Sequence, residues 1–167
     1  GRYHRFKDSA PNLKVTALFD PSIDNNGGAK FKEDGLLELI SDYNLRYGQD
    51  FKAASFAKMK KAIAARLAHK KPYERIEYEP DNEIDLLIVV DQMLTGFDSK
   101  WINTLYMDKI LRYENIIQAF SRTSRRFGPD KPFGTIKYYR KPHTMEKYIE
   151  AAVKLYSGDR PFGLFAQ

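Results

Sequence analysis

The chain contains no cysteine, which excludes disulfides, thiolate metal sites and cysteine nucleophiles. No apolar run approaches the roughly 18 residues of a membrane span. Gly1-Arg2-Tyr3-His4-Arg5 lacks the apolar core of a signal peptide, so a cytoplasmic location is the default expectation. The three histidines, His4, His69 and His143, are scattered and form no ligand pattern. A phosphate loop of the form G-x-x-x-x-G-K-S/T is also absent: Gly27-Gly28 lies near Lys30, but the spacing is wrong. Asp91 closes an apolar run without a second carboxylate after it, so the run is not a Walker B strand.

What the chain does have is aromatic and basic. Eleven Tyr and eleven Phe in 167 residues predict a packed core rather than a disordered tail. A formal net charge of +6 permits nucleic-acid or phosphate partners without demonstrating them.

Periodicity predicts the elements. Leu13 to Phe19 alternates and reads as a strand, ended by Asp20-Pro21. Turn chemistry makes Ser22 to Lys30 a loop. Leu36, Leu37, Ile40, Tyr43, Asn44 and Tyr47 share one helical face, with Glu33-Asp34 suited to the N-terminus and Gly48 to the end. A second helix spans about 54–68, with Phe56, Met59, Ile63 and Leu67 inward and Lys58, Lys61 and Arg66 on a charged face read as solvated. The acidic stretch carrying Glu77, Glu79, Asp81, Glu83 and Asp85 reads as a solvated loop rather than a metal cluster.

Leu86 to Val90 is an unbroken apolar run rich in β-branched residues, predicted to be a central parallel strand buried on both faces. It opens into a loop, Thr95-Gly96-Phe97-Asp98, of the kind that carries function at the carboxyl end of such strands. A short strand over 102–108, a helix over 112–125, a strand over 134–140 and a helix from about Thr144 to Gly158 complete the chain. In the last helix Met145, Tyr148, Ile149, Ala152, Val153 and Tyr156 are expected inward. The order β-α-α-β-β-α-β-α predicts an α/β domain around a mainly parallel sheet.

At about 100° per residue, Gln118, Arg122 and Arg125 fall within roughly 60° of one another on the helix predicted over 112–125. Arginine is permanently charged and presents a planar fork of donors suited to phosphate oxygens. By itself this helix is better read as an ordinary solvated face with two arginines and a satisfied glutamine. In the loop, Gly96 permits close backbone approach, Thr95 offers a hydroxyl, and Asp98 can hold a ribose hydroxyl or orient an arginine. Strand, loop, second strand and arginine helix together form a more specific constellation.

That order, with its wording, resembles motifs V and VI of superfamily 2 helicases and in particular the R (restriction) subunit of type I restriction-modification enzymes. The matching stretches are LLIVVDQMLTGFDS (86–99), NTLYMDKILRY (103–113), IIQAFSRTSR (116–125) and KPFGTIKYYR (131–140). The resemblance implies a RecA-like three-layer lobe over 13–157, after a remnant of a helix or linker over 1–12 and before a linker over 158–167. It implies the second lobe of an ATP-driven, double-stranded DNA translocase coupled to cleavage. Arg125 would be the arginine finger, Arg122 a further γ-phosphate contact, and Gln118 a contact to nucleotide or attacking water. Gly96 and Asp98 would couple nucleotide to the lobe, and Thr95 would touch the DNA backbone.

The implied cofactors are ATP and Mg2+, held mainly by a first lobe outside this chain. The implied partners are double-stranded DNA, lobe 1 and the nuclease domain of the same protein, and the modification and specificity subunits, with no membrane. Without Walker A, Walker B or an Asp…Glu-x-Lys nuclease site, the chain is expected to be a fragment inactive alone. Another superfamily 2 translocase, or a non-catalytic DNA-binding α/β domain, are the alternatives.

Overall fold

A computed structural model describes residue 9 and residues 12–19, 29–90, 97 and 99–158. The chain divides into two compact units, residues 1–93 and 94–167. Each is a parallel strand pair with helices against it.

In the first unit, β1 (Val15–Phe19) pairs in parallel with β2 (Leu86–Val90), Val15 opposite Leu86 and Phe19 opposite Val90. Parallel neighbours need a long crossover, which here contains α1 (Ala29–Tyr47) and α2 (Phe56–Leu67). Register is pinned at the entrance. The Lys14 amide donates to the Asp85 carboxylate at 2.7 Å, and the Asp85 amide returns a bond to the Lys14 carbonyl at 2.9 Å. The Lys14 ammonium adds an ion pair to the same carboxylate at 3.3 Å.

Helix α1 already includes Ala29 and Lys30, so the expected loop is shorter than turn chemistry suggests and Glu33-Asp34 lie within the helix. It ends as expected. Gly48 takes φ +60°, and the Gln49 amide reaches back to the Asn44 carbonyl at 3.0 Å, a Schellman-type closure. Asn44 then fastens the following chain through paired bonds with the Phe51 main chain at 2.8 and 2.9 Å. Leu36, Ile40 and Tyr43 of α1 pack with Phe56, Met59 and Ile63 of α2 and Leu18 of β1 in one core.

Further expectations fail in this unit: Leu37, expected on the shared face of α1, is exposed. Strand β2 is half-buried over Leu86–Val89 and exposed at Val90, because among the described residues β1 is its one strand partner. Arg66 is not solvated. It is 2 % exposed, and its guanidinium carbon lies 4.1 Å from the Tyr47 ring centroid and 4.3 Å from that of Tyr73. Its Nη1 donates to the Asn82 carbonyl at 2.5 Å. The acidic stretch behaves as expected, with Glu77, Glu79 and Asp81 exposed along short 3-10 turns.

In the second unit, β3 (Thr104–Met107) pairs in parallel with β4 (Thr135–Tyr138), Thr104 opposite Thr135 and Met107 opposite Tyr138. Helix α3 (Glu114–Phe120) forms part of the crossover and α4 (Pro142–Ser157) follows β4. Ile116 and Ala119 of α3, Met145 and Ala152 of α4 and Met107 of β3 make the core. Gly158 closes α4 at φ +61° as expected, whereas Tyr156 is exposed rather than inward. The predicted element order is observed in full. The mainly parallel sheet is, among the described residues, two separate two-stranded parallel sheets.

Among the described residues no helix is long and apolar enough to cross a membrane, and no group of histidine and carboxylate side chains could hold a metal.

Candidate functional site

The site is built around the end of α3. The helix expected over 112–125 is seven residues long and stops at Phe120. The reason is local. In Ser121-Arg122-Thr123-Ser124, each hydroxyl bonds a carbonyl three residues back: Ser121 to Gln118 at 2.7 Å, Thr123 to Phe120 at 3.3 Å, Ser124 to Ser121 at 3.0 Å. Such side chains compete with the helical ladder. The backbone tightens to match, the Arg122 amide bonding Ala119 and the Thr123 amide bonding Phe120, both at 3.2 Å. Helical geometry therefore does not extend to Arg122 and Arg125, and the shared face with Gln118 is replaced by a turn.

That turn is anchored on both sides. Thr123 is 1 % exposed, and its carbonyl lies against Gly134, where an added Cβ would sit 2.1 Å from the oxygen. Only glycine admits this approach. Phe127 and Lys131 exchange main-chain bonds at 3.0 and 3.2 Å and close the excursion through Gly128, whose φ is +59°. The Trp101 and Phe127 rings meet at 4.6 Å, and the Lys100 ammonium lies 3.9 Å from the Phe127 centroid.

The arginines differ. Arg122 is half-buried, and its Nη1 donates to the Phe97 carbonyl, which ties the turn to the segment following Thr95 and Gly96. Arg125 is exposed, as is its neighbour Arg126. Gln118 is half-buried in the last turn of α3. Thr95, Gly96 and Asp98 lie outside the described residues. Of the expected set, the structure joins Arg122 to the chain beside the loop and presents Arg125 on the turn's surface.

Sequence reasoning missed two anchors. Lys131 is 5 % exposed, and its Nζ donates to the Lys100 carbonyl at 3.0 Å. Burial pulls its ammonium below the ordinary lysine value. Nothing in the pattern around Pro132 and Gly134 signals an inward lysine. Arg66 could have been found. It lies seven residues after Met59 and three after Ile63, on the stripe those two define. Such an arginine needs a planar or carbonyl partner, and three tyrosines supply one.

The sequence profile of the type I restriction enzyme subunit R domain 3 family matches residues 2–141. The type I restriction enzyme SsaAORF53P endonuclease subunit of Staphylococcus saprophyticus is 44 % identical over 156 residues, covering 90 % of this chain and 16 % of that protein. The SauCOLORF180P endonuclease subunit of Staphylococcus aureus is 38 % identical over 141 residues, 83 % of this chain and 14 % of that one. A putative type I restriction enzyme endonuclease subunit of Methanocaldococcus jannaschii, MjaVIIP, is 42 % identical over 62 residues, 37 % of this chain and 6 % of that protein. The chain thus spans about a sixth of the length of the bacterial relatives it matches most fully.

Proposed function

The chain belongs to the type I restriction enzyme subunit R domain 3 family, and from that membership we propose that it is part of a restriction subunit's DNA motor. In this reading it is the second RecA-like lobe, carrying motif V in 86–99 and motif VI in 116–125. It works on ATP and Mg2+ held mainly by a first lobe elsewhere in the parent protein. Double-stranded DNA is the track, and the nuclease domain, modification subunit and specificity subunit are the partners. The chain alone neither hydrolyses ATP nor cuts DNA.

One observation carries the reading most. The arginine turn is fastened to Phe97, within the stretch read as motif V, by the bond from Arg122 to the Phe97 carbonyl. Arg125 stands exposed on that turn, where a permanent cation can stabilise charge developing on a transferring phosphoryl group. Gln118 is assigned to nucleotide or the attacking water, Gly96 and Asp98 to coupling, and Thr95 to the DNA backbone.

DNA-stimulated ATP hydrolysis by the complete parent protein tests this reading. Wild type should turn over ATP, the variant with both Arg122 and Arg125 replaced by alanine should lose at least about a thousandfold, and this chain alone should be silent. Salt-dependent DNA binding without turnover by the folded wild-type parent would instead assign a DNA-binding module.

A further inference from the structure

We propose that Lys131 is a positioning residue of this motor, which with Arg122 clamps the chain at Phe97 and Lys100, in and just after the motif V loop, onto the arginine turn. The inference rests on the reading above and deepens it.

Two cations hold one short segment by its main chain. Arg122 donates to the carbonyl of Phe97, and Lys131 donates to the carbonyl of Lys100 at 3.0 Å. A single tie would let the segment pivot; two ties three residues apart fix its direction. Between them Ser99 is 4 % exposed, packed down rather than turned to solvent. Just beyond Lys100, the Trp101 ring meets Phe127 of the same turn.

The choice of lysine is informative. Burying an ammonium is costly, and an apolar side chain of similar length avoids that cost. Among the described residues no carboxylate lies within ion-pair distance of Lys131. What the ammonium gains is the Lys100 carbonyl. The main-chain exchange between Phe127 and Lys131 places the lysine at the base of the closed turn, aimed across at the clamped segment. The buried charge thus serves the orientation of the main chain at Lys100, just after the loop assigned to coupling.

The parent protein with Lys131→Met and Lys131→Arg tests the clamp. Two measurements are needed: DNA-stimulated turnover resolved into kcat and KM, and amide exchange at residues 99–101. Lys131→Met should lower kcat at least about tenfold with KM for ATP within about twofold, as expected when a reacting group is misplaced while substrate binding stays intact. Exchange at 99–101 should quicken about tenfold as local opening becomes easier. Lys131→Arg, which keeps a charged donor, should recover most of kcat. Should the methionine variant fail to fold, Lys131→Gln, whose shorter arm falls short of the carbonyl, should show the same kcat loss and faster exchange.

Wild-type kcat in a neutral variant, unchanged exchange, or an arginine variant no better than methionine would overturn the proposal. A wild-type parent without turnover would defeat the motor reading and the catalytic part of the clamp. Exchange would then decide separately whether the tie itself exists.

Discussion

The two units share a plan, a parallel strand pair with helices against it, yet they use buried and half-buried cations in opposite ways. In the first, Arg66 lies between the rings of Tyr47 and Tyr73 with Tyr43 beyond, and directs one donor to Asn82. It is part of the core. In the second, Arg122 and Lys131 hold main-chain carbonyls of a segment beside the candidate site. Identical charge therefore has different meanings. Removing Arg66 is an event of stability, whereas removing the second pair is an event of geometry.

The largest expected effect is on the first unit. Arg66→Ala removes a charged hydrogen bond and two desolvated ring contacts, and should cost about 3 kcal/mol. Native-state amide exchange of α1 and α2 in the parent reads this directly. A loss below about 1 kcal/mol would show that the arginine is a passenger in that core.

In the second unit, Gly134→Ala forces a methyl into the Thr123 carbonyl. Backbone cannot yield as a flexible side chain does, so about 2 kcal/mol of strain is expected, with faster exchange in β4 and the arginine turn. Unchanged exchange there would mean that the contact between strand and turn does not constrain the site.

Tyr47→Phe is smaller. It removes the hydrogen bond from the phenol to the Glu83 carbonyl at 3.0 Å and should cost about 1 kcal/mol. It also has a pH signature. Burial pushes the Tyr47 phenol up to about 12, against an opposing pull from Arg66. Between pH 10.0 and about 12 the unfolded chain releases this proton while the folded chain keeps it. The contribution to stability is thus full below pH 10.0 and lost as pH rises toward about 12. Alkaline destabilisation of α1 should be steeper in wild type than in Tyr47→Phe. Equal slopes would contradict this assignment.

The smallest effect separates surface from core. Arg140 and Asp108 form an ion pair at 3.0 Å with both side chains largely exposed, and Asp108→Asn should leave stability unchanged within measurement. A measurable loss by exchange at β3 would show that the second unit depends on surface charge more than its buried cations suggest.

Much of this fold is legible in the sequence, because alternation and helical stripes report burial directly. Among the described residues four strands and four α-helices stand in the predicted order. The errors share a cause, which is that local pattern does not reveal partners. Leu86 to Val90 has the composition of a fully buried strand, but burial depends on neighbours that composition does not count. The charge of Arg66 suggests solvent, although its helical angle places it with Met59 and Ile63. The face of Gln118, Arg122 and Arg125 presumes a helix that three hydroxyl groups bring to an end. Lys131 has no local signal, since its role depends on Lys100, which is distant in sequence.

The most direct test of the motor reading compares adjacent arginines. Arg125 and Arg126 are both exposed on the same turn, so charge, helix propensity and solubility are nearly matched between their alanine variants. In the complete parent protein, Arg125→Ala should lower DNA-stimulated ATP turnover by about a thousandfold, while Arg126→Ala should stay within about twofold of wild type. Equal turnover in the two folded variants would contradict the assignment of Arg125 to the transferring phosphoryl group.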